Sequence, residues 1–317
     1  MIAEGYVFEQ NSDGSYSPVP AFVKVSDNEY EIYNLAGLKM FSNAVNTGNN
    51  YFADQTVVLI NDIDLNNEKW TPIGSAAKDH GFMGNFDGNN KTIKNLYISD
   101  IALDEDGYAY AGLFGVTEGT DANNENYIKD LIIENVTIST EGHIVAAAIA
   151  YPYYTTIENI TVEGNIKIKG GDYTAGVLAY TRRCVNANNL TVEGNTGSSI
   201  EGRYTVGGVI SDIQMNGGLT ANYSNFKASG LTITAEKNVG GISGIISGQT
   251  LDGAIVENVT IACEGVTRGT VSGALGTTST IKNIVVTNVT GAENVVGAGY
   301  DTGDNVIVNG DVYEIKK

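Results

Sequence analysis

Ile93-Lys94-Asn95-Leu96-Tyr97-Ile98 decides the fold, because the chain keeps returning to this pattern. Ile60-Asn61-Asp62-Ile63-Asp64-Leu65 is an earlier version. Later ones centre on Asp130, Asn159, Asn189, Asn225, Asn258 and Asn283, with a weak last copy on Asn305. Neighbouring centres lie 22 to 36 residues apart. A short unit recurring at such a period marks a repeat architecture, in which each unit buries its apolar face only by stacking on the next.

About half a period after each centre comes a small-residue segment. Ala111-Gly112-Leu113-Phe114-Gly115, Ala146-Ala147-Ala148-Ile149-Ala150 and Ala175-Gly176-Val177-Leu178-Ala179 are the first three. Val206-Gly207-Gly208-Val209-Ile210, Val239-Gly240-Gly241-Ile242-Ser243 and Val271-Ser272-Gly273-Ala274-Leu275 continue the series. Short β-branched or small-residue runs bounded by Gly, Asn and Thr read as strands. Leucine-rich repeats would need a regular L-x-x-L-x-L pattern, and propeller blades would be longer. The reading is all-β: a right-handed parallel β-helix.

Strand alternation then sorts each unit. Leu96, Leu131, Ile160, Leu190, Phe226, Val259 and Ile284 are expected to form one inward file. Ile98, Ile133, Val162, Val192, Ala228, Ile261 and Val286 form a second, with Tyr97, Ile132, Thr161, Thr191, Lys227, Thr260 and Val285 facing outward between them. The Asn positions sit at the strand entry. Asn tolerates the left-handed conformation there, and its amide can bond the same amide on the next coil, about 4.8 Å away. Gly112, Gly176, Gly208, Gly241 and Gly273 are expected to permit close approach between coils. No Gly-rich stretch is followed by Lys-Ser/Thr, so a phosphate loop is not supported.

The 317 residues include 39 Gly and only 4 Pro, with 42% hydrophobic residues, which suffices for a long continuous core. The net charge of −19 argues against nucleic acid and anionic membrane as partners. No apolar run is long enough for membrane insertion. Met1-Ile2-Ala3-Glu4-Gly5 shows no basic region leading into an apolar one, so no signal sequence is present in this stretch. The expectation is a mature, monomeric, secreted or cell-surface protein. Cys184 and Cys263 lie more than two coils apart, beyond disulfide reach. The Asn-x-Ser/Thr sequons at Asn135, Asn159, Asn189, Asn222, Asn258 and Asn288 read as by-products of the repeat.

The ends depart from the repeat, as terminal units must. Residues 1–55 are read as N-terminal strands plus a capping helix, and 56–317 as the β-helix with its terminal cap, together one continuous structural domain. Strands are expected at Tyr6-Phe8, Ala21-Val25 and Glu29-Tyr33, with a turn at Asp13-Gly14. A helix follows over about Leu35 to Asn46, with Asn34 as N-cap and Leu38, Phe41 and Val45 on one apolar face. Its place is over the first coil, where open strand edges would otherwise invite aggregation. Val306-Ile307-Val308 and Val312-Tyr313-Glu314-Ile315 are expected to finish the stack as a hairpin over Asn309-Gly310.

The run Thr56 to Leu65, then Trp70-Thr71-Pro72-Ile73-Gly74, Phe82-Met83-Gly84-Asn85-Phe86-Asp87-Gly88 and Thr92 to Leu96, resembles secreted bacterial right-handed β-helix proteins with the GLUG repeat. Ala111-Gly112-Leu113-Phe114-Gly115 is similar to that repeat's signature segment. The resemblance spans roughly residues 30 to 300. It implies an adhesin-like surface or secreted protein, or a non-catalytic part of immunoglobulin A protease-like proteins, and it supplies no catalytic motif. No H-E-x-x-H or G-x-S-x-G occurs in the chain.

Two constellations remain for function. Glu134, Glu163 and Glu193 occupy one outward position on three consecutive coils, so they are weak catalytic candidates. Carboxyls about 5 to 5.5 Å apart suit a retaining glycosidase, and adjacent carboxylates could also share a calcium ion. Asp172, Arg182, Arg183 and Arg203 lie on nearby coils. The second constellation is aromatic: Tyr151-Pro152-Tyr153-Tyr154, with Tyr180 one coil on. Tyr offers flat amphipathic surface to sugar rings or proteins. Trp70 and Phe82 are expected only to shield coil corners, and His80 and His143 stand alone, without a metal set. The expectation is a non-catalytic adhesin-like module contacting a glycan or host surface protein through Tyr151, Tyr153, Tyr154, Tyr180, Glu163 and Arg182, with no cofactor. The alternative is a carbohydrate-active enzyme, a polysaccharide lyase or glycoside hydrolase, on the carboxylate face.

Overall fold

The structure is a computed structural model and describes residues 5–48, 51–74, 81–101, 103, 107–121, 125–181, 183–184, 186–214, 221–263, 267–276, 278–299, 306–308 and 311–313. It is a parallel β-solenoid of about eight turns, with a single short helix among the described residues. One turn shows the plan. Asn126–Ser139 lies in the long sheet, Ile144–Ala146 in a six-stranded sheet and Ile149–Tyr153 in a seven-stranded sheet. Thr155–Lys169 then returns to the long sheet beside Asn126–Ser139, parallel to it.

Each long strand is creased by residues with positive φ. Asp130, Asn159, Asn189, Asn225 and Asn283 have φ of 54 to 60°, and Gly253 takes the sixth place in the same file with φ 83°. Five positions later comes a second left-handed file: Asn135, Gly164, Gly230, Asn258 and Asn288. Only Asn, Asp and Gly enter this conformation at small cost. Four residues between the creases, such as Leu131 to Glu134, form a short flat strand.

This geometry corrects the expected single file. Asn95 and Asn258 belong to the second crease, opposite Asn135 and Asn288. Leu96 accordingly stacks on Val136, and Val259 lies beyond the second crease, where Ile98, Ile138, Ile168, Ile200, Ile233 and Ile261 form their own buried file. The same apolar alternation flanks both creases, so a motif written around one Asn fits either. Ala254 and Val256 fill the inward places assigned to Val259 and Ile261.

Amide ladders do run along the creases. Asn159 Nδ2 donates to Asp130 Oδ1 at 2.7 Å, and Asn189 Nδ2 to Asn159 Oδ1 at 2.9 Å. Asn225 turns instead to Asn188 Oδ1, at 2.9 Å, and Asn283 to Asp252 Oδ1, at 2.7 Å, because Gly253 offers no amide. At the small-residue corner, a Cβ at Gly176 would overlap the Gly208 carbonyl and one at Gly208 the Gly241 carbonyl, so close coil approach requires glycine there.

One core cluster runs continuously from Ile32 to Val295. Each fully buried Leu, Ile or Val in it contributes about 1.5–3 kcal/mol. Helix α1 spans Leu35–Asn46, and the Asn34 side chain accepts from Gly37 N at 3.0 Å, as an N-cap should. Leu38, Phe41 and Val45 are fully buried, and the Phe41 ring meets Phe22, Phe52, Phe82 and Phe86 at centroid distances of 5.2 to 6.1 Å. The Asp13-Gly14 turn closes an antiparallel hairpin of Tyr6–Gln10 with Tyr16–Pro20, a strand that its two prolines hid from the sequence reading. Trp70 and Phe82 do more than shield corners: both are buried in the core.

At the far end Val306–Val308 pairs antiparallel with Asp311–Tyr313, while Asn305, Asn309 and Gly310 lie outside the described residues. Neither Cys184 nor Cys263 forms a disulfide among the described residues. Among the described residues no helix is long and apolar enough to cross a membrane.

Candidate functional site

The corner between the six- and seven-stranded sheets carries the aromatic constellation. Ile144, Ala146, Ala150 and Ala179 form a small buried cluster separate from the main core, and Tyr110, Tyr173 and Tyr180 pack on it. Alanine at these places leaves room for rings to lie down. Tyr110 stacks on Tyr151 at 5.9 Å, Tyr151 meets Tyr180 edge-on at 5.4 Å, and Tyr180 meets Tyr173 at 4.8 Å. Tyr151 also touches Tyr153 at 5.9 Å, and Tyr153 touches Tyr154 at 4.7 Å. Six half-buried tyrosines thus form one continuous strip over two sheets.

Consecutive strand residues normally face opposite ways. Tyr153 and Tyr154 escape that rule because Tyr154 is left-handed, with φ 48°. For a bulky residue this conformation costs about 1–2 kcal/mol. The result puts both phenols on Arg183, one turn on. Arg183 Nη1 donates to the hydroxyls of Tyr153 at 2.6 Å and Tyr154 at 3.0 Å, and its guanidinium carbon lies 4.9 and 5.6 Å from the two ring centroids. Tyr154 N donates to the Arg183 carbonyl at 2.8 Å, closing the unit. Arg182, named from the sequence, lies outside the described residues.

The carboxylates form the second constellation. Glu134, Glu163 and Glu193 are direct register partners on three successive long-sheet strands, followed by Ser229 and Glu257. They line an open trough of about 570 Å³ with Asn195 and Asn258. Glu257 was missed because Asn258 was assigned to the wrong crease. Lys227 Nζ lies 2.5 Å from Glu193, and this hydrogen bond holds the lysine above its ordinary range while neutralising one carboxylate of the file. Glu163 and the tyrosines occupy different sheets, so the residues expected to contact one ligand divide between two surfaces.

Arg203 is engaged by Asp172, with Nε at 3.0 Å from Oδ1. Burial pushes the Cys184 thiol and the Tyr223 phenol upward, and Tyr223 reaches Thr181 inside the core at 3.4 Å. His143 meets Tyr108 edge-on at 5.3 Å; His80 lies outside the described residues. Among the described residues no three His, Cys, Asp or Glu side chains converge as a metal site.

No protein-family model matches the sequence, and no curated protein does. A solved structure does match in shape: the crystal structure of "a putative immunoglobulin A1 protease from Bacteroides ovatus". The TM-score is 0.55 over 92% of this chain and 80% of that one, at 15% sequence identity. At that identity the likeness carries the solenoid fold and no site residue.

The sequence pointed to Tyr151, Tyr153, Tyr154 and Tyr180 through their local density. Tyr110 and Tyr173 were missed. Their only sequence signal is a tyrosine just before the small-residue corner on alternate turns.

Proposed function

We propose that this chain is a non-catalytic glycan-contacting module, secreted or displayed on a cell surface in the manner of adhesin-like GLUG-repeat solenoids. The observation that carries the reading is the continuous strip of Tyr110, Tyr151, Tyr153, Tyr154, Tyr173 and Tyr180 on a rigid two-sheet corner. Flat amphipathic phenols suit sugar rings by stacking. A single such site supplies about 4–8 kcal/mol, a millimolar to micromolar affinity, which surface display raises by avidity. The Bacteroides ovatus neighbour, at 15% identity, lends no protease residue to this chain.

A glycan array followed by titration tests the reading. Tyr151→Ala and Tyr180→Ala should each weaken binding tenfold or more with an unchanged β-sheet circular dichroism spectrum. Undiminished binding by both variants would place the ligand elsewhere. The Glu134, Glu163 and Glu193 trough favours a second reading, a carbohydrate-active enzyme. Polysaccharide cleavage abolished by Glu163→Gln would establish it in place of the first.

A further inference from the structure

We infer that Arg183 makes the tyrosine strip selective for saccharides carrying a carboxylate on an otherwise neutral chain; the inference rests on the proposed glycan-contacting role of the strip.

Arg183, like Lys167, Lys237 and Arg268, differs from the cations that this acidic chain pairs with carboxylates. Lys94 is paired with Asp64, Lys129 with Asp87 and Asp130, Lys169 with Glu201, Arg203 with Asp172, Lys227 with Glu193 and Lys282 with Asp252. Among the described residues no carboxylate contacts Arg183, although the protein carries 37 acidic residues against 18 basic ones. Its side-chain partners are two neutral phenols and their ring faces.

A guanidinium has five N–H donors in a rigid planar fork. Both bonds to Tyr153 and Tyr154 leave from Nη1, so the edge formed by Nε and Nη2 keeps three N–H groups without a partner among the described residues. That edge matches a carboxylate bidentately. The fork is also held in place, since the left-handed Tyr154 brings both phenols to one side of it. A strained backbone residue survives only where its surroundings impose it, and here it orients a cation beside an aromatic platform.

Platform and fork together suit one ligand class. A hexuronate or sialate has an apolar ring face for the tyrosines and an exocyclic carboxylate for the arginine. Net charge sets a further limit. At −19 the protein repels a densely charged polyanion, whereas one carboxylate is screened beyond about 8 Å at physiological salt and meets Arg183 at short range.

The test compares a tetrasaccharide ending in glucuronic acid with its methyl ester, titrated calorimetrically into the wild-type protein, Arg183→Gln, Arg183→Lys and Tyr151→Ala. The acid should bind the wild type at least tenfold tighter than the ester. Arg183→Gln should bring the two to parity while ester binding persists, Arg183→Lys should retain part of the preference, and Tyr151→Ala should weaken both. The comparison on wild-type protein stands even if Arg183→Gln fails to fold. Equal binding of acid and ester to the wild type overturns this inference and leaves the glycan-contacting reading intact. Binding of neither probe overturns both. A preference that survives in folded Arg183→Gln removes the role from Arg183, and displacement of the acid by a glutamate-rich peptide at equal concentration reassigns the ligand class.

Discussion

A left-handed residue at a strand crease has two tasks, and Asn performs both. Its backbone accepts φ near 55° with little strain, and its amide bonds the neighbouring turn. Asn189 sits mid-file, between Asn159 and Asn225 in register. Asn189→Ala should therefore lose about 2 kcal/mol, the sum of the left-handed cost and one amide hydrogen bond. Asn189→Gly removes only the hydrogen bond and should lose less. Urea denaturation midpoints of the two variants check the order; an Ala variant as stable as the wild type would mean that the crease does not constrain the strand.

At the scale of elements, the N-terminal helix is the piece that the repeat cannot supply. A solenoid end exposes core and unpaired strand edges, and α1 covers them with Leu38, Phe41 and Val45. Gly37 in its first turn lies so close to the chain that a Cβ would overlap the Ala21 carbonyl, which shows how tightly the helix is seated. Leu38→Asp places an unpaired charge in that seat and should destabilise the protein by about 4 kcal/mol. Thermal melting measures it, and an unshifted midpoint would make the helix a free appendage.

Over the whole molecule, each turn touches chiefly the turns before and after it, so stability is a sum of neighbour terms. Removing residues 159–188 deletes one full turn and sets Asn189 against Asp130, its equivalent in the same crease file. That shortened chain should fold, with a cooperative melt and an unchanged β-sheet spectrum, yet lose saccharide binding along with Tyr173, Tyr180 and Arg183. Deleting half as many residues breaks the register and should yield aggregated or unfolded protein. Size-exclusion chromatography and circular dichroism separate the outcomes.

The period of the Asn motif and the alternation of residues such as Leu131, Ile132 and Ile133 were enough to determine a parallel solenoid with a helical cap, because period and alternation are local properties of a chain. The tyrosine-rich run at Tyr151 to Tyr154 was visible for the same reason. Which crease Asn95 and Asn258 occupy was decided only by tertiary register, since both creases are flanked by the same apolar pattern. The joining of Tyr110 and Tyr173 to the strip, the pairing of Lys227 with Glu193, and the absence of a carboxylate on Arg183 among the described residues were likewise beyond the sequence. Each depends on side chains about a full turn apart in the chain, brought within hydrogen-bonding or ring-contact distance by the stacking of coils about 4.8 Å apart.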